Sequence, residues 1–222
     1  MYAQNIIKRG VVFAGVSMAW PMFVAMSTFL LPEGLLARVE RIGHIKSVYT
    51  TGFWCLIFIA PALVSLLKKL SLQMGLVYTR TVNFLLYTYA CLITAICLNQ
   101  IFYFPKLISR YGLDFAAKWY LSNSHGLLFV LNQLAYGILG LVFILLFIKP
   151  VKQLVAYPKK IAIISLASSV FFLIGALAGI TQWIGGLMLT YVGMLLLIPF
   201  GFFSIAYGMA EYKESIVKKL IV

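Results

Sequence analysis

The residues most able to do chemistry in this chain fall in one stretch, where Ser122, Asn123, Ser124 and His125 are followed by Asn132, Gln133 and Tyr136. The steps from His125 to Asn132 and on to Tyr136 are seven and four residues. On a helix that spacing sets the three on one face, with Gln133 beside them and Gly140 below. Amides, a phenol and an imidazole supply hydrogen-bond donors and acceptors without fixed charge. Such a face suits a small neutral molecule, and His125 adds a group that titrates near neutral pH. Candidate companions are Tyr87, Thr88, Cys91 and Thr94 on the preceding apolar stretch, with Asn99 and Gln100 at its end. The competing reading is interhelical hydrogen bonding, in which the same side chains hold helices together at about 0.6–2 kcal/mol per contact.

The rest of the inventory argues against other chemistries. No long apolar stretch contains Asp, Glu, Lys or Arg, so coupled transport through a buried carboxylate or cation has no visible carrier. A nucleophile paired with a base is equally hard to assemble, and an enzyme is the less favoured reading. His44 and His125 are the only histidines, and no Cys or His spacing matches a metal site, so neither metal nor cofactor is expected. Cys55, Cys91 and Cys97 all lie in apolar stretches and read as small buried hydrophobes.

The elements that must position these residues follow from composition. The chain has 222 residues, 63% hydrophobic and 10% charged; soluble domains average about 25% charged. Uncharged runs occupy 10–32, 47–67, 81–105, 119–148 and 161–210. A bilayer core needs about 20 apolar residues per helix, so the first four runs hold one span each and the last holds two. The expected fold is all-α and polytopic, a six-transmembrane-helix bundle forming one domain over 1–222, with spans near 10–31, 50–67, 81–103, 122–148, 161–180 and 183–208. The first run exceeds the apolar stretch of a signal peptide and reads as a retained span.

The formal net charge of +13 lies at the span borders. With a cytoplasmic N-terminus, Lys8, Arg9, Lys68, Lys69, Arg80, Lys149, Lys152, Lys159, Lys160, Lys213, Lys218 and Lys219 fall inside. Arg38, Arg41, Lys46, Lys106, Arg110 and Lys118 fall outside. This bias puts both termini in the cytoplasm and points to anionic lipid at that face rather than to nucleic acid. Trp54, Trp119 and Trp183 fall at the opposite border, as an aromatic belt would. The expected location is a cell membrane, the bacterial cytoplasmic (inner) membrane.

Two loops beginning at Pro32 and Pro105 look like amphipathic helices on the outer surface. In the first, Leu35, Leu36, Val39 and Ile42 form the apolar set; in the second, Leu107, Ile108, Tyr111, Phe115 and Trp119 do, beside an Arg110, Asp114, Lys118 ladder. Pro21, Pro61 and Pro199 lie mid-span as candidate kinks or hinges. Small residues recur at Ser168, Gly175 and Gly179 and at Gly186, Thr190 and Gly193, which suits close helix contact. Together these features favour binding or passive transport of a small neutral or lipophilic molecule. A non-catalytic structural subunit with membrane-protein partners is the alternative, and a lipid-modifying enzyme comes third.

Overall fold

The computed structural model describes the backbone of residues 2–30, 34–183 and 185–221 and, within these, every side chain except those at 2, 20–30, 55 and 218–221. The expectations for the side chains of Pro21 and Cys55, and for Pro32 and Glu33 as a helix start, lie outside the described residues.

A backbone deprived of water must satisfy its amides and carbonyls internally, and a helix does so within one segment. All regular structure among the described residues is helical. The order is α1 (Tyr2–Leu30), α2 (Leu35–His44), α3 (Lys46–Ile57), α4 (Ile59–Gln73), α5 (Arg80–Leu98), a π-helical segment Asn99–Tyr103, α6 (Phe104–Tyr111), α7 (Leu113–Ala117), α8 (Leu127–Phe147), α9 (Ala156–Ile180), α10 (Gly185–Leu195) and α11 (Leu197–Ile221). Five stretches of the described residues are long and apolar enough to cross a membrane: Lys46–Gln73, Arg80–Tyr111, Leu127–Phe147, Ala156–Ile180 and Gly185–Val217.

The rods close into a ring. Going round it, α1 packs on α4, α4 on α5, α5 on α8, α8 on α9, α9 on α11 and α11 back on α1. The α1–α11 contact is antiparallel and lengthwise. Gly208 faces Ile7, Gly10 faces Ile205, and Phe13 meets Phe200 edge to face at 5.7 Å. One continuous apolar core runs through the bundle from Ile6 to Tyr207.

At one end α2, α6 and α7 pack on one another, with Val39, Ile42 and Ala116 fully buried. The apolar sets read from the sequence are only partly used, because Leu35, Leu36, Tyr111 and Phe115 are exposed. The second amphipathic run is not one helix. Gly112 adopts φ +82 and divides α6 from α7, which breaks the expected Arg110, Asp114, Lys118 ladder.

α8 starts at Leu127 rather than Ser122. Asn123 explains the delay: its Nδ2 donates to the Ala117 carbonyl at 2.8 Å, and its Oδ1 accepts from the His125 amide at 3.2 Å. Those bonds hold residues 118–126 in turns instead of a helix. A Cβ on Gly126 would lie 2.9 Å from the Lys118 carbonyl oxygen, so the turn closes only around glycine.

Candidate functional site

Asn132 and Tyr136 lie one turn apart on α8, both buried, and both border an internal space of about 20 Å³. Phe53, Leu56 and Ile59 of α3 and α4, Ile93, Ile96 and Cys97 of α5, Tyr191 and Met194 of α10, and Leu121 complete its wall. The wall is apolar apart from an amide, two phenols and a thiol. A volume of this size holds about one water.

Three of the surrounding rods lose helical regularity where they border this space. α3 and α4 part at Phe58, between the lining residues Leu56 and Ile59 and three residues before Pro61. α10 and α11 part at Leu196, two residues after the lining Met194 and three before Pro199. A proline has no N–H to give the carbonyl four residues earlier, so the bonding ladder opens about one turn upstream. On α5 the π-helical segment begins at Asn99, two residues after the lining Cys97. Isolated π segments widen a helix by a residue and often mark functional positions. α1, by contrast, runs through position 21 as continuous helix.

Gln133 and Asn132 are neighbours in sequence but serve different contacts. Gln133 is completely buried and turns toward α9 and α10, where its side-chain carbonyl accepts a hydrogen bond from the Thr190 hydroxyl. Gly175 and Gly179 make room for it, since a Cβ on Gly179 would lie 2.5 Å from Gln133 Cβ. Its Nε2 has no hydrogen-bond partner among the described residues.

Gln100, also completely buried, belongs to the capped end. Its Oε1 accepts from the Tyr49 hydroxyl at 2.5 Å, and its Nε2 donates to the Trp119 carbonyl at 2.9 Å and to Asn99 Oδ1 at 3.3 Å. Tyr49 in turn packs against Phe104, and Phe104 stacks on Tyr120 at 5.6 Å. Burial pushes the Tyr120 phenol above its ordinary range; a hydrogen bond with Ser122, and the charge and hydrogen bond of Arg38, pull it partly back. Tyr191, a wall residue of the internal space, lies beside Ser122 as well.

The remaining sequence candidates are dispersed. His125 lies before α8, exposed, with its Nδ1 2.8 Å from Gln182 Oε1 in the α9–α10 turn, so it does not share a helix face with Asn132 and Tyr136. Tyr87 points away from them: it is 48% exposed, and its hydroxyl accepts from Lys68 Nζ at 2.5 Å. The aromatic that does reach Tyr136 from α5 is Tyr89, edge to face at 5.8 Å. Thr94 is half-buried and outside the cavity wall, and Cys91 is exposed rather than buried. Tyr49, Thr190 and Tyr191 carry the polar contacts that the sequence reading did not assign. The signal available for Thr190 was its place among small residues, which pointed to packing alone.

Among the described residues, no group of three His, Cys, Asp or Glu side chains could hold a metal ion. Comparison of the chain with known protein families, curated proteins and solved structures finds no match.

Proposed function

We propose that this chain is a six-span membrane protein whose bundle binds a small neutral or lipophilic molecule at the Asn132–Tyr136 cavity and lets it pass without coupling to an ion. The sixth span is α1. Its 29 residues make a helix about 43 Å long at 1.5 Å per residue, more than a bilayer core requires, and it lies lengthwise on α11. In this reading α2, α6 and α7 cover the outer mouth, both termini are cytoplasmic, and the membrane is the bacterial inner one.

The observation that carries the proposal is the coincidence of the cavity with three interrupted helices. Buried Asn132 and Tyr136 offer hydrogen bonds to a guest, and the breaks at Phe58, Asn99 and Leu196 are where the wall bends most easily. The space as it stands admits one water, so a larger guest enters by flexing at those breaks. The subunit reading gains no comparable support, because Gly175, Gly179, Gly186 and Gly193 are all spent on contacts within the chain.

Native mass spectrometry of the full chain released from mild detergent tests the proposal. A small neutral adduct on the wild type that is lost in Asn132→Leu, with both proteins equally folded, is the expected result. A stoichiometric protein partner and no small adduct would favour the subunit reading and overturn this one.

A further inference from the structure

We infer that the groove between α1 and α4 is a binding site for an anionic phospholipid, with the headgroup phosphate held by Lys8 and Arg9. The groove has a volume of about 240 Å³ and is lined by Lys8, Arg9, Val12, Ala62 and Ser65. Two cations line it, and none of the lining residues is acidic. Arg9 is held in place: its Nη1 donates to the Ser65 carbonyl at 3.2 Å and also to the Ser65 hydroxyl. A guanidinium has five N–H donors, so this anchoring fixes the group and leaves donors for a phosphate. Lys8 is exposed beside it.

Three residues along each helix from the Arg9–Ser65 contact, at Val12 and Ala62, the groove has the opposite character. Val12 is 56% exposed, and Ala62 leaves the space that a larger side chain on α4 would fill. Arg9 is the last charge on α1 before a long uncharged run, and Lys68 is the first after one on α4. The groove therefore straddles the border between charged and apolar chain on both helices. A ligand matching it must have an anionic head and an apolar tail on one molecule. A free anion leaves the Val12–Ala62 half exposed, and a zwitterionic lipid brings its own cation to a groove that already holds two. This site is separate from the Asn132–Tyr136 cavity and does not depend on its function.

The test is native mass spectrometry of the full chain titrated with dioleoylphosphatidylglycerol or dioleoylphosphatidylcholine, with thermal melting to confirm folding of each variant. The first phosphatidylglycerol should bind more tightly than the first phosphatidylcholine. Lys8→Gln with Arg9→Gln should weaken it about 30-fold, each cation near an anionic headgroup contributing about fivefold. Lys8→Gln alone keeps the Arg9–Ser65 contact and should cost about fivefold. Ala62→Leu fills the groove without touching a charge and should also weaken binding. Lys152→Gln with Lys159→Gln removes cations elsewhere and should leave the first binding event unchanged. The inference fails if that control weakens binding as much as the groove variants do, if the two lipids bind alike, or if inorganic phosphate alone displaces the lipid.

Discussion

The Thr190 hydroxyl donates a hydrogen bond to the Gln133 side-chain carbonyl across the α8–α10 contact, and neither residue has any exposed surface. This bond sits where the glycines of α9 let three helices approach: a Cβ on Gly175 would fall 2.3 Å from Thr190 Oγ1. Close approach and polar pairing are thus one design, because the amide fits only where its neighbours have no side chain.

Removing one partner should cost more than removing both. Thr190→Val leaves the Gln133 carbonyl unpaired beside an Nε2 that already lacks a partner among the described residues, so a loss of about 1–2 kcal/mol is expected. Gln133→Leu leaves only the Thr190 hydroxyl, which can turn to a carbonyl of its own helix, and also discards the Nε2 that lacks a partner among the described residues, so it should cost less. In the double variant the losses should fall short of additive by about 0.6–1.7 kcal/mol, as read from reversible unfolding in mixed micelles. Strict additivity would remove the hydrogen bond from the account.

Gly179→Ala places a methyl 2.5 Å from Gln133 Cβ, with helix backbone on both sides to resist movement. Overpacking of this kind costs about 1–3 kcal/mol and should lower the melting temperature by circular dichroism in detergent. Gly15→Ala is the matched control, since among the described residues no atom beyond its chain neighbours and own helix backbone lies within 4 Å of its Cβ position. That variant should be neutral or stabilised by up to about 1 kcal/mol through helix propensity. Equal losses in the two would show that the cost comes from somewhere other than the α8–α9 contact.

Tyr120 makes the capped end sensitive to alkali. Burial raises its phenol above the ordinary value, so the folded state favours the neutral form. The resulting stability is fully present below the unfolded value, about 10, and is lost as pH rises through the higher folded value. Tyr120→Phe should cost about 0.5–1.5 kcal/mol at neutral pH by removing the polar group that faces Ser122 and Arg38. It should then lose less than the wild type as the pH is raised further. Denaturation midpoints measured from pH 8 upward should converge; a constant gap between the two proteins would rule Tyr120 out.

The local part of the candidate site was legible in the sequence. Asn132 and Tyr136 are four residues apart, which puts them on one face of any helix, and both border the internal space. His125, given the same face, lost it because Asn123 ties the preceding turns with its own side chain. Tyr87 and Tyr89 differ by two positions on α5 and so lie on opposite sides. Nothing in the sequence alone says which of the two meets α8, and packing selects Tyr89.

By itself the sequence determined that the chain is helical and apolar enough to cross a membrane several times, because charge vacancies and backbone self-satisfaction are properties of single segments. It also marked Pro61 and Pro199, whose missing amides act on their own helices. Only the tertiary structure decided that those interruptions and the π segment after Cys97 gather around one cavity, and that Gln133 turns to Thr190 while Asn132 turns inward. Those choices depend on which helix faces pack together, and such packing is set by shape complementarity between segments distant in the chain.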